Sequence, residues 1–211
     1  MQELVIYGAG GFGREIRVLI DQINEVKPSW KILGFVDDHI HKNVVDDLPV
    51  FKKITDVPHQ NENLSIVIAV ADPSIRQSIR NNLTSKSYRF PTIVHPNTNL
   101  GDTKRNKIGE GCIITTGCVL TTGIVIHNFV IINLATTLGH DVNLGSYCTI
   151  MPGCNLSGYV TIGEKSLVGT GVQILQNLSI GKNCRVGAGA VVTKSFEDNT
   201  TIIGVPAHIK L

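Results

Sequence analysis

The residues best suited to do chemistry in this chain are a histidine and an acid side by side. His140 and Asp141 lie in the stretch LGHDVNLGSYCTIMPGCNLSGYVTIG (138–163). Imidazole titrates near neutrality, so a neutral histidine can take a proton from an attacking amine or hydroxyl. An adjacent carboxylate can orient the ring and stabilise the imidazolium. The same pair would also suit the polar outside of a repetitive structure, so the surrounding elements must decide. A second candidate is GAGGFG, Gly8 to Gly13, which fits G-x-G-x-x-G. Its glycines let the backbone approach a phosphate, and the N-terminus of a following helix attracts the anion. Asp37 and Asp38 close a later apolar run and could accept hydrogen bonds from ribose hydroxyls or a base N–H. A tight strand-to-helix turn without a ligand uses the same glycines, and a lone fingerprint names no particular nucleotide.

The element that carries His140 is legible from its period. Stepping by six from Ile108 to Val192 meets fifteen aliphatic residues without a slip. At 42% apolar content, chance would give this on the order of once in a million trials. A repeat of six describes a solenoid whose short strands each point one large side chain inward and then turn a corner. The position two residues earlier, from Cys112 to Ala190, holds small or medium residues that fit a narrow interior. All five cysteines fall there. Equivalent strands stack about 4.8 Å apart, and same-face cysteines lie two coils apart, too far for a disulfide. Buried, reduced thiols are therefore expected, with neither a cysteine nucleophile nor a metal cluster. In this geometry Leu138 and Val142 face inward and His140 sits on an outward corner. Gly158, one coil further on, is expected to leave a gap beside it where a side chain would stand.

The first part of the chain follows another grammar. ELVIYG, KILGFVDD and LSIVIAVAD read as strands; REIRVLIDQINEV and PSIRQSIRNNL read as helices, the second opened by proline. Strands alternating with helices imply a small parallel sheet. The expected organisation is a Rossmann-like domain over residues 1–92, one mononucleotide half at most, then a parallel β-helix over 93–211.

Bulk properties narrow the classes. A chain of 211 residues with 17% charged residues and a net charge of +2 has no basic run or aromatic enrichment for nucleic acid. No apolar stretch is long enough to span a bilayer, and the start runs directly into a strand, so a cytoplasmic location is expected. A β-helical zinc carbonic anhydrase needs three converging histidines, and the repeat offers only His127 and His140. A non-catalytic, nucleotide-sensing scaffold remains open at this point.

YGAGGFGREI at the start, the hexapeptide run and the closing IIGVPAHI together resemble a bacterial family. These are the sugar acyltransferases related to sialic acid O-acetyltransferase and to the N-acetyltransferases of nucleotide-linked 4-amino-4,6-dideoxysugars, in the hexapeptide-repeat superfamily. The resemblance implies a left-handed β-helix, a homotrimer with active sites between subunits, acetyl-CoA as cosubstrate, no metal, and a role in cell-surface polysaccharide synthesis. It places the catalytic pair on His140 and Asp141, with aspartate where many relatives have glutamate. It implies acceptor contacts at Gly10, Gly11, Phe12, Asp37, Asp38, Ala71 and Asn133. Acetyl-CoA contacts fall on Thr149, Gly158, Thr170 and Ala188, with the gap at Gly158 expected to leave room for the thioester and a backbone N–H there as oxyanion donor. Whether the acceptor is an amine or a hydroxyl, and which nucleotide carries the sugar, stay open.

Overall fold

The computed structural model describes residues 1–59 and 63–210. It divides into two compact units, Met1–Ala71 with Ile75–Pro96, and Asp72–Ser74 with Asn97–Leu211.

In the first unit, β1 (Gln2–Tyr7) leads through the glycine loop into α1 (Gly11–Val26), followed by β2 (Trp30–Val36). A hairpin, β3 (Val44–Val45) and β4 (Leu48–Phe51), precedes β5 (Leu64–Ile68); α2 (Pro73–Asn82) and β6 (Tyr88–Arg89) come last. Leu4, Val5 and Ile6 of β1 are fully buried, as a strand in the middle of a parallel sheet must be. Ile16, Leu19 and Ile20 give α1 its buried face. The sheet order is β3-β4-β2-β1-β5-β6, and every pairing is parallel except that of β3 with β4. Counting the parallel strands alone gives the order 3-2-1-4-5, which reverses between β1 and β5. Sheets of this order bind their ligands at the carboxyl ends of the strands, near such a switch point. The sheet therefore extends further than the single mononucleotide half expected. The extra strands come from the hairpin, which replaces the helix that would ordinarily follow β2, and from the short β6.

The second unit is a left-handed, triangular parallel β-helix of two-residue strands. Residues eighteen apart pair in register: Val119 with Thr137, Thr137 with Asn155, and Asn155 with Gln173. The inward column Leu120, Leu138, Leu156, Ile174 and Val192 is buried throughout. Each such side chain contributes about 1.5–3 kcal/mol by leaving water. All five cysteines are free and buried beside these columns. Burial raises the Cys118 thiol and pushes that of Cys154 up to about 11. The interior polar groups are satisfied: Ser166 Oγ donates to the Gly181 carbonyl and accepts from the Cys184 N–H. At the end of the helix, Thr201–Ile203 and His208–Ile209 pair antiparallel and close the coil. Among the described residues no helix is long and apolar enough to cross a membrane.

Candidate active site

Leu138 and Val142 are buried in the solenoid core, and the two-residue spacing from each puts His140 on the corner between them. The His140 and Asp141 side chains are about half exposed, and His140 Nδ1 lies 2.9 Å from Asp141 Oδ2. Asp141 adopts a left-handed φ of 59°, a conformation that short polar residues tolerate better than most. Its N–H donates to the Thr122 carbonyl on the preceding coil. Two glycines make room for the pair. A Cβ on Gly158, in the following coil, would lie 2.5 Å from both Cε1 and Nε2 of His140. A Cβ on Gly123, in the preceding coil, would lie 2.5 Å from Asp141 Oδ1. The space at Gly158 is therefore taken by the imidazole itself, where the sequence reading had reserved it for a thioester. Gly123 was missed, although its position eighteen residues before Asp141 was the available signal.

The glycine loop sorts into two kinds of glycine. Gly8 has φ of +108°, and a Cβ there would meet the Ala69 carbonyl oxygen at 2.8 Å; a Cβ on Gly13 would run into the Gly8 carbonyl. Those two glycines are required by the packing of strand on helix. Gly10 and Gly11 have open space where a Cβ would stand. Gly10 caps α1 without a side-chain hydrogen bond, so the positive end of the helix faces outward. Beside it lies a cavity of about 730 Å³, with Gly10, Gly11, Arg14, His39, His41 and Lys42 in its walls. The basic side chains were not singled out from sequence; their signal was DDHIHK directly after β2.

Asp37 is held by three backbone hydrogen bonds. Its Oδ2 accepts the Ala9 N–H, and its Oδ1 accepts those of His39 and Ile40. The carboxylate shapes the loop, leaving it little capacity for a ribose or base. Asp38 is exposed, with its Oδ1 3.5 Å from His39 Nε2. Burial, then the charges of Asp38 and Asp37, push the Tyr7 phenol up from its ordinary value. Phe12 is half-buried and does not line the cavity. The Ala71 carbonyl accepts from the buried Arg76 guanidinium. Among the described residues there is no group of three or more His, Cys, Asp or Glu able to hold a metal.

Comparison with known proteins agrees with both halves of this picture. Residues 3–83 match the PglD N-terminal domain, and residues 159–194 match the bacterial transferase hexapeptide (six repeats). GDP-perosamine N-acetyltransferase of Escherichia coli O157:H7 is 33% identical over 187 residues, which is 87% of this chain and 82% of that protein. The chain belongs to the hexapeptide-repeat sugar acyltransferases. Among solved structures, the acetyltransferase domain of PglB from Neisseria gonorrhoeae FA1090 is 30% identical with a TM-score of 0.88, covering 100% of both chains. The same domain is also known in complex with acetyl coenzyme A. A histidine-to-asparagine variant of perosamine N-acetyltransferase from Caulobacter crescentus, in complex with CoA and GDP-perosamine, is 27% identical with a TM-score of 0.88, covering 100% of this chain and 98% of that one.

The remaining residues of this sugar acyltransferase are not all where the sequence placed them. Thr149 is fully buried and Asn133 is 6% exposed, so neither offers an open side chain to a ligand at the surface of the chain. Asn133 Oδ1 instead accepts from the Leu134 N–H and the Thr115 hydroxyl. Thr170 and Ala188 are exposed and stack one coil apart, but on a different corner of the triangle from His140 and Gly158. One chain therefore does not bring the expected acetyl-CoA residues together. As an acyltransferase, the protein is an enzyme, and the scaffold reading falls.

Proposed function

We propose that this enzyme transfers an acetyl group from acetyl-CoA to the amine of a nucleotide-linked 4-amino-4,6-dideoxysugar. The observation that carries the proposal is the His140–Asp141 pair, hydrogen-bonded at 2.9 Å on an exposed corner with the ring across Gly158. Nδ1–H donates its hydrogen bond to the Asp141 carboxylate, which leaves Nε2 as the basic nitrogen. As the sugar amine attacks the thioester carbonyl, Nε2 takes its proton; the C–N bond forms, the C–S bond breaks, and the proton passes to the departing CoA thiolate. Backbone N–H groups near Gly158 are the proposed donors to the oxyanion. With all five thiols buried, direct transfer is favoured over an acyl-enzyme.

The acceptor's diphosphate is assigned to the N-terminus of α1, where Gly10 and Gly11 leave room, Lys42 lines the cavity and Arg14 lines it in an ion pair with Asp46. Asp38 is left to meet ribose or base. Relatives point to a GDP-linked sugar, since GDP-perosamine is named in the E. coli and C. crescentus proteins. Thr170 and Ala188 stand on another corner, so a homotrimer in which one copy presents them to the His140 corner of the next would complete the acetyl-CoA site. CoA and nucleotide-sugars are cytoplasmic metabolites, which places the reaction there.

The test is a panel of GDP-, UDP- and dTDP-linked amino sugars with acetyl-CoA, followed by thiol release and by mass gain. An N-acetyl product resists mild base, whereas the ester of an O-acetyltransferase of the sialic acid type is cleaved. Calorimetry should show a nucleotide-sugar binding to the wild type and more weakly to Asp38→Ala. Tight NAD binding with no response to any nucleotide-sugar would overturn the acceptor assignment.

A further inference from the structure

Tyr159 is out of place for its backbone. The corner column that runs Gly123, Asp141, Tyr159, Asn177 is left-handed at every step, with φ between 59° and 70°. Glycine, aspartate and asparagine are the residues that accept this conformation most readily. A bulky aromatic does not, and its own chain does not bury the ring to offset the strain, since Tyr159 is 56% exposed within one chain. Two other aromatics at left-handed corners do find packing: Phe129 and Tyr147 stack with ring centroids 5.2 Å apart, and Phe129 is buried over Gly111. The ring contact that Tyr159 makes is with His140. The two centroids are 5.0 Å apart at 85°, edge to face, and the Tyr159 N–H donates to the His140 carbonyl at 2.9 Å.

We propose that Tyr159 is a positioning residue for His140, a wall that holds the imidazole in the rotamer bonded to Asp141. The proposal rests on the assignment of His140 as the base. An exposed His–Asp pair by itself holds its geometry weakly. Gly158 supplies the floor beneath the ring, and Tyr159 closes the flank that would otherwise open to water. Strain kept at an exposed residue beside a reacting group is what a positional demand on that group produces.

The test compares Tyr159→Asn, which deletes the ring and suits the left-handed backbone, with Tyr159→Phe, which keeps the ring. Both are assayed with acetyl-CoA and GDP-perosamine, with His140→Asn alongside. The asparagine variant should lose kcat about tenfold, with KM for both substrates within about twofold, while its Tm stays level or rises by about 2–4 °C. The phenylalanine variant should retain kcat within about twofold. Carbon-edited NMR, which needs no substrate, should show one sharp His140 Cε1–H signal in the wild type and the phenylalanine variant, and a broadened or shifted one in the asparagine variant. Wild-type kcat and an unchanged His140 signal in Tyr159→Asn would overturn the proposal. A change in KM alone would make Tyr159 a substrate wall, and loss of assembly would make it an interface residue; either also overturns it. Full activity in His140→Asn would sink the base assignment instead, which keeps the two failures distinct.

Discussion

Gly158→Ala separates the role of the imidazole from that of the cosubstrate. The added Cβ would stand 2.5 Å from Cε1 and Nε2 of His140, where ordinary contact begins at 3.4 Å, so the ring must retreat by up to about 0.9 Å. The atoms in conflict belong to the far end of a side chain, which moves more cheaply than the coil. The retreat displaces Nε2 and strains the 2.9 Å bond to Asp141. A misplacement of about 1 Å costs on the order of 10²-fold in rate, about 2.7 kcal/mol of barrier. Gly158 needs no left-handed φ, so alanine should not unfold the coil. Restricting the unfolded chain should instead add about 0.4–1 kcal/mol of stability, a Tm rise of about 1–4 °C. The assay is thiol release under saturating acceptor, with KM for acetyl-CoA and thermal unfolding measured on the same preparation. The expected pattern is low kcat, unchanged KM for acetyl-CoA and undiminished Tm. Wild-type kcat would refute the reasoning, and a rise confined to the acetyl-CoA KM would return the space at Gly158 to the thioester.

Other outcomes follow from the same geometry. His140→Ala should lower turnover by about 10²–10⁴-fold, and Asp141→Asn by less, because the carboxylate orients the ring and does not take the substrate's proton; steady-state kinetics of the two variants checks the order. Gly13→Ala should destabilise the N-terminal unit, since its Cβ meets backbone, whereas Gly11→Ala should leave Tm unchanged and weaken nucleotide-sugar binding by calorimetry. Iodoacetamide at pH 8 should add nothing to the native protein and label all five thiols after denaturation, because burial holds Cys118 high and Cys154 at about 11. His95 is buried, with its Nε2 2.9 Å from Gln22 Oε1, and burial lowers its pKa. The unfolded chain therefore binds the proton more readily than the folded one. Stability from this residue is present above about pH 6.5 and is lost as pH falls; denaturant titrations across pH 5–7.5 should show the decline, and His95→Gln should flatten it.

The solenoid was legible because its period is strict: every inward position from Cys112 to Val192 follows from a step of six. The corner location of His140 and the buried thiols follow from the same count. The hairpin at Val44–Phe51 was not legible. Its strands are two and four residues long, and its turn uses Asp46 and Asp47, both with positive φ, in place of the asparagine–glycine signal that marks such turns. Asp37 was recognisable as a carboxylate after a strand, but not as one already committed to three backbone donors, because Ala9 is distant in sequence. Thr149 shows another limit. The repeat says which residues leave the interior, and it does not say which outward faces are then covered.

The wiring of the His140–Asp141 pair has a consequence for how the fold tolerates change in length. Thr122 and Gly123 lie in one coil, His140 and Asp141 in the next, and Gly158 and Tyr159 in the third, so the parts stack along the solenoid axis on one corner. Adding or deleting a whole coil before Thr122 or after Tyr159 leaves every one of these contacts intact. A single-residue insertion between 123 and 140 takes Thr122 and Gly123 out of register with the pair, and one between 141 and 158 does the same to Gly158 and Tyr159. The site behaves as a transplantable cassette of stacked coils, able to be carried by solenoids of different length provided its three layers travel together.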